Sequence, residues 1–481
     1  MDSTRDQSKV SYRLLLATVA FGGVLAPINS TMLAVALPEL RHDFDVGHAE
    51  IAWLVSAYLI AMAVAQPLGG RLGDQLGRGP VFRTGLALFL AFSLAIALSP
   101  TFEVLILLRT CQALIGAAVI PNGMAMLRET QPVTRLGRSG GFIGSAISIS
   151  AAVGPLLGAG LLELGSWRYI FIMNVPLVVA GLVCFALLRY PERGDRKPFA
   201  VDWAGAVMFA ALLVTVTLLL NSLKGSHSDL FLIGVIIALP VVAFVFIQRQ
   251  LSTETPIAEW QLFRNRSYAA ATVYVLLSNL VMYTVILAIP FFVEEVQGKG
   301  HAVTGSLLGA VSVLAAVLAP IAGRVSDSMG RRQPAFAGSL CMLAGVAALL
   351  VGIQEDSPYW FLATTLALLG LGLGLSIGPS NAAAIESSPR ELAGAAAGTN
   401  SMMRYLGSII GVGMLGAVLN TESGGAPEIG VFRLILAVLV VMAALASVST
   451  LFIHKFTREL GHLDIAKPAV TAAAATEAPS A

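Results

Sequence analysis

Two stretches of the chain carry one phrase: Gly70-Arg71-Leu72-Gly73-Asp74-Gln75-Leu76-Gly77-Arg78 and Gly323-Arg324-Val325-Ser326-Asp327-Ser328-Met329-Gly330-Arg331. The shared pattern is G-R-x-x-D-x-x-G-R, and each copy directly follows a long apolar run. Glycines, an aspartate and arginines stand where a helix leaves hydrocarbon and turns. A repeat of this kind means two halves built on one plan, as in polytopic membrane proteins with internal symmetry.

Working outward, the 481-residue chain is 56% hydrophobic and only 12% charged, against about 25% charged in soluble domains. Fourteen apolar runs between residues 14 and 452 are long enough to cross a bilayer. The first contains Pro27 and Asn29 and lacks a small-residue cleavage site, so it is a spanning helix and not a removed signal. With the N-terminus inside, only Arg41, Arg168, Lys224 and Lys299 fall in outer segments, and most other basic residues lie in inner ones. Both termini are therefore expected in the cytoplasm. The expected class is an all-α polytopic membrane protein with 14 transmembrane helices in a 6+2+6 order.

The first copy of the phrase follows run 2 and the second follows run 10, which places two extra runs between two sets of six. The expected divisions are a cytoplasmic N-terminus at 1–13, a first six-helix bundle at 14–188, and a linker with the extra pair at 189–267. A second six-helix bundle at 268–452 and a disordered Ala/Thr/Pro-rich tail at 453–481 complete the chain. The near-neutral net charge of +2 gives no reason to expect nucleic acid as a partner. Cys111, Cys184 and Cys341 sit in apolar runs without metal or disulfide spacing. The histidines lie in loops or at helix ends, and no G-x-x-x-x-G-K-[ST] phrase occurs. Neither an enzyme nor a directly ATP-driven machine is expected, and no cofactor or metal is assigned.

The candidate functional residues follow from their depth. Gly70, Asp74, Gly77 and Arg78, with Asp327 and Arg331 in the second copy, form cytoplasmic turns in which carboxylate and guanidinium cap helix ends or pair across the bundles as a gate. Arg109 lies inside run 4, where a central arginine costs about 2.5–3.5 kcal/mol on insertion scales. It either faces a polar cavity, together with Gln112, or snorkels to an interface. In run 5, Gly154, Pro155 and Gly158 extend a stripe of small residues suited to close, kinked packing. Asn29, Asn279, Tyr283, Asn381, Asn400 and Arg404, with Arg109 and Gln112, are the substrate-binding candidates, and Gln66, Asn122, Trp53, Tyr58 and Tyr405 complete the expected lining. For each asparagine a hydrogen bond to a neighbouring helix is an equal alternative.

Read together, these phrases resemble the major facilitator superfamily, and within it the fourteen-helix drug:proton antiporters that include multidrug and tetracycline-type exporters. Gly70–Arg78 is similar to the signature loop between helices 2 and 3. Arg109, Gln112 and Gly116 resemble the helix 4 motif, and Ala152-Val153-Gly154-Pro155-Leu156-Leu157-Gly158 the helix 5 antiporter motif. The phrases Trp167–Pro176 and Gly398–Gly407 are similar to ones in helices 6 and 13 of that group. The resemblance implies a monomer in the cytoplasmic membrane that exports small amphipathic compounds by proton antiport; an importer or facilitator of a small metabolite, or a non-transporting sensor, are the alternatives. One departure stands out. Many relatives carry an acid in helix 1 where this chain has Asn29, which holds no proton, and no other Asp or Glu falls at a midplane position. Two cavity arginines without a cavity carboxylate point to anionic or zwitterionic substrates over permanent cations.

Overall fold

The computed structural model describes residues 11–131, 133–188, 190, 202–222, 229–253, 256–257, 259–389, 392–419 and 428–454. Nearly all of the expected N-terminal segment and tail, and most of the linker at 189–201, lie outside the described residues. Among those described, helices dominate, no strand occurs, and fourteen helices are long and apolar enough to cross a membrane. In chain order they are α1 (Tyr12–Asp43), α2 (His48–Leu76), α3 (Arg78–Ala97), α4 (Phe102–Thr130), α5 (Val133–Leu162), α6 (Arg168–Leu188) and α7 (Trp203–Ser222). Then follow α8 (Asp229–Ser252), α9 (Arg266–Val296), α10 (His301–Met329), α11 (Arg332–Gly352), α12 (Tyr359–Glu386), α13 (Ala393–Leu419) and α14 (Ile429–Thr450). The chain is a multi-pass membrane protein.

The repeated phrase has one geometry twice. Gly77 ends α2 at φ +94° and Gly330 ends α10 at φ +86°, a backbone region in which a Cβ is strained. Each helix also carries a proline three residues before its phrase, Pro67 and Pro320. Arg78 pairs with Asp74 one turn back, donates to the Gly70 carbonyl at 2.9 Å, and reaches Glu129 at the end of α4 at 3.5 Å. Arg331 repeats this with Asp327 at 2.6 Å and Glu386 at the end of α12 at 2.6 Å.

Contact between the halves follows the same symmetry. α5 packs along α10, and α2 along α13; with α10 the counterpart of α2 and α13 that of α5, these are one contact used twice. Its closeness comes from missing side chains. A Cβ on Gly158 would stand 2.8 Å from the Met32 carbonyl oxygen on α1, and one on Gly305 of α10 would stand 2.9 Å from the Pro155 carbonyl oxygen on α5. Backbones thus touch on both faces of α5, which is how helices associate when lipid supplies no hydrophobic contrast.

The extra pair divides its roles. α7 packs against both α2 and α13, whereas α8 leans on α7, with Phe209 and Phe246 stacked at 5.5 Å, and only 11% of its apolar window is buried. Asp202, just before α7, pins the base of the pair by accepting from Gly205 N–H at 2.9 Å and Arg249 at 2.9 Å. Burial opposes ionisation of Asp202, but those hydrogen bonds and the guanidinium charge outweigh it and hold the carboxyl below the usual carboxylate range.

Candidate functional site

Three polar layers stack along the interface between the halves. The middle one centres on Arg109 of α4, which is 1% exposed. It donates to Asn29 Oδ1 on α1 and to Gln112 Oε1 at 2.7 Å, and Gln112 in turn donates to Ser93 Oγ at 2.7 Å. Asn174 of α6 reaches the same Ser93 at 3.2 Å. The guanidinium lies over the Tyr58 ring at 4.1 Å and near Phe171 at 5.5 Å, so aromatic faces supply part of its solvation. Snorkelling is excluded by this burial. Arg109 Nε, Asn29 Nδ2 and the Tyr58 hydroxyl have no hydrogen-bond partner.

Across the interface, Arg404 of α13 is partly buried, 3.4 Å from Ser401 Oγ and 5.3 Å from the Tyr405 ring centre. Tyr58, Tyr283, Tyr405, Arg109 and Arg404 lie close enough to act on one another electrostatically, and Tyr283 of α9 faces Ser30 of α1. The structure therefore brings Asn29, Arg109, Gln112, Tyr283 and Arg404 into one neighbourhood. Asn400 donates to Asn381 Oδ1 at 2.7 Å, joining α13 to α12, while its own Oδ1 is buried without a partner. Asn279 donates to the Val275 carbonyl of its own helix at 2.8 Å. Asn122 is a structural clamp: it donates to the Gly69 and Ala118 carbonyls at 2.8 and 2.7 Å and accepts from Arg78 at 3.5 Å, fixing α4 to the signature loop. Gly73 on α2 leaves the room it needs, and Gly69 lets the Ala118 backbone approach.

The layer at the basic end holds the two signature loops. Asp74 and Asp327 each pair with the arginine of their own loop, and Glu129 and Glu386 complete each set within the same half. Neither aspartate pairs across the bundles in this arrangement. Neither glutamate was assigned to the gate from the sequence; their signal is that each closes the second helix after its half's signature loop, α4 and α12.

The opposite end is crossed by ion pairs. Glu295 at the end of α9 accepts from Arg41 of α1 at 2.8 Å and pairs with His48 of α2 at 2.9 Å. His301 of α10 has Nδ1 3.0 Å from Glu294 and Nε2 3.5 Å from Glu39 of α1. Trp167, fully buried, donates its backbone N–H to Glu39 at 3.1 Å and its indole N–H to Asp43 at 2.9 Å. Sequence reading left this latch out because its members are distant in the chain and fall at helix ends, where charge is ordinary.

The Major Facilitator Superfamily model matches residues 19–412. An MFS-type transporter of Bacillus subtilis, YvkA, is 32% identical over 405 residues, covering 84% of this chain and 90% of its own length. The tetracenomycin C resistance and export protein of Streptomyces glaucescens is 28% identical over 85% of this chain and 76% of its own, and the multidrug resistance protein Stp of Mycobacterium tuberculosis 30% over 84% and 75%. Among solved structures, a D-xylose-proton symporter aligns with a TM-score of 0.65 at 15% identity, over 93% of this chain and 98% of that one. A bacterial homologue of the lysosomal transporter Spinster, solved inward-facing and unoccupied, aligns at 0.62 and 13%, over 94% and 98%. These two show the fold alone. The chain belongs to the Major Facilitator Superfamily, whose members move small molecules across membranes.

Proposed function

We propose that the protein exports small amphipathic compounds across the cytoplasmic membrane as a monomer, by alternating access coupled to proton antiport. Two bundles, at 14–188 and 268–452, rock about the Arg109–Arg404 layer, with the linker pair at 189–267 riding along. The observation that carries the reading is the asymmetry of the ion pairs. Among the described residues, the ion pairs between α1 or α2 and α9 or α10 lie at the outer end, while Asp74–Arg78 and Asp327–Arg331 stay inside their own halves. An outer latch closed over a polar layer, with Asp74 and Asp327 paired inside their own halves, is what an inward-facing state requires. Gly70, Asp74, Gly77, Arg78, Asp327 and Arg331 gate the inner mouth, and Gly154, Pro155 and Gly158 let α5 slide against α1 and α10. Two relatives whose names speak of multidrug resistance or of export favour efflux as the direction.

The test is accumulation of dyes, antibiotics and organic anions in cells stripped of their own pumps, with and without an uncoupler. Export predicts lower accumulation on expression and its rise when the uncoupler is added. Accumulation that expression raises instead would make the protein an importer.

A further inference from the structure

The middle layer holds charge of one sign. Arg109 is 1% exposed and its acceptors, Asn29 and Gln112, are neutral. Among the described residues Arg404 is met by Ser401 and the Tyr405 ring, with Tyr283 within electrostatic reach. Among the described residues the carboxylates of α1, α2, α4, α9, α10 and α12 stand at helix ends, in the outer latch or the signature-loop clusters, and α13 has none. Buried cations are normally matched by an anion, because the low-dielectric cost of an isolated charge is several kcal/mol. Among the described residues the chain does not supply it. Among those residues the Tyr58 hydroxyl, Asn29 Nδ2 and Arg109 Nε are buried donors without an acceptor, and Tyr58, Tyr283 and Tyr405 lie within electrostatic reach of one another.

We propose that the missing counter-charge is the substrate's own: the transported class is an amphipathic organic monoanion, its acidic group held by Arg404 in the field of Arg109 and its apolar body set against the three tyrosines. The inference rests on the export reading and deepens it. It has an energetic corollary. A potential negative inside expels an anion by about 2.3 kcal/mol per 100 mV, so the potential acts on the cargo itself and no carboxylate need stand at position 29. An aspartate there would sit against Arg109 and cancel the charge that the substrate now answers.

Naphthalene-1-sulfonate is a suitable probe, since it stays ionised and does not cross lipid as a neutral acid. In inverted vesicles with equal pH on both sides, a potassium diffusion potential of about 60 mV, positive inside, should concentrate it about a hundredfold, because each exchange of one anion for one proton moves two charges. Arg404→Gln and Asn29→Asp should each cut initial uptake at least tenfold, and Arg404→Lys should keep a substantial fraction. Equilibrium binding of the sulfonate to the detergent-solubilised full chain should weaken at least tenfold in Arg404→Gln. Accumulation of ethidium in vesicles given an acidic lumen, without accumulation of the sulfonate under either gradient, would overturn the substrate class and leave the export reading standing. Sulfonate binding that depends on Arg404, without accumulation of any probe, would uphold the class and sink the transport reading. Absence of sulfonate binding and accumulation alike overturns the inference.

Discussion

Arg109 shows how much a single residue decides. Its guanidinium is fully enclosed, bonded to two amides on different helices and capped by Tyr58, so removing it deletes both a charge and the node joining α1, α4 and α6. Arg109→Ala is expected to abolish uptake into inverted vesicles. Arg109→Lys keeps the charge but loses the flat, weakly hydrated guanidinium that lies over the Tyr58 ring, and should reduce uptake at least tenfold. Near-normal rates in both variants, normalised to folded protein, would remove Arg109 from the transport path. Asn29, Arg109 and Gln112 stand out in the sequence because polar groups are costly in an apolar run, and the structure brings them together, while their part in transport belongs to the proposal. Asn122 looked the same and is a clamp, because depth along the helix, and not residue type, separates lining from packing. The orphan Tyr58 hydroxyl could not be read at all, since a buried tyrosine announces nothing about what its oxygen meets.

At the scale of elements, the proposed inner gate at the duplicated loop and the proposed outer latch would be opposite ends of one lever. Asp74→Asn removes a partner of Arg78 while Glu129 remains, so folding and apparent substrate affinity should change little and turnover should fall several-fold. Asp327→Asn should act more mildly: Arg331 keeps a bidentate bond to Glu386, with contacts of 2.6 and 3.0 Å. Wild-type turnover in a well-expressed Asp74→Asn protein would remove the gate role. The latch is tested through Glu295→Gln, which leaves Arg41 and His48 without the anion that ties them to α9. The outward-open population should then rise, and a cysteine placed at Ser30 in a cysteine-free background should react faster with a membrane-impermeant thiol reagent added outside. An unchanged labelling rate would mean that these pairs do not hold the outer mouth. The helices themselves, their number and the close approach of α5 were all visible in apolar run lengths and small-residue spacing. Pairings such as Arg41–Glu295, 254 residues apart, depend on how two halves meet and leave no local trace.

Across the whole molecule, the internal two-fold explains why sequence carried so much of the architecture: a phrase repeated at equivalent places gives the correspondence of α2 with α10, and the rest follows by counting. What it did not give was the seating of α7 against both α2 and α13, since nothing in a uniformly apolar helix says which groove it fills. The anchor of that pair is Asp202, and its lowered carboxyl pKa fixes a direction for pH dependence. The stabilisation is present above the unfolded value of about 3.9 and is lost as pH falls through the lower folded value. Asp202→Asn should therefore melt below wild type at neutral pH, with the two curves converging in strong acid; parallel curves at every pH would show the ion pair to be inert. The buried arginine also bears on how the chain is made. A charge in the middle of α4 enters the bilayer at a cost of about 2.5–3.5 kcal/mol, and the amide that receives it belongs to α1, 80 residues earlier. α1 leaves the ribosome first and carries its own burden of Asn29 and two prolines. The first helix thus has to wait in the lipid beside the insertion machinery until its fourth neighbour arrives, which makes the order of synthesis part of what the sequence encodes.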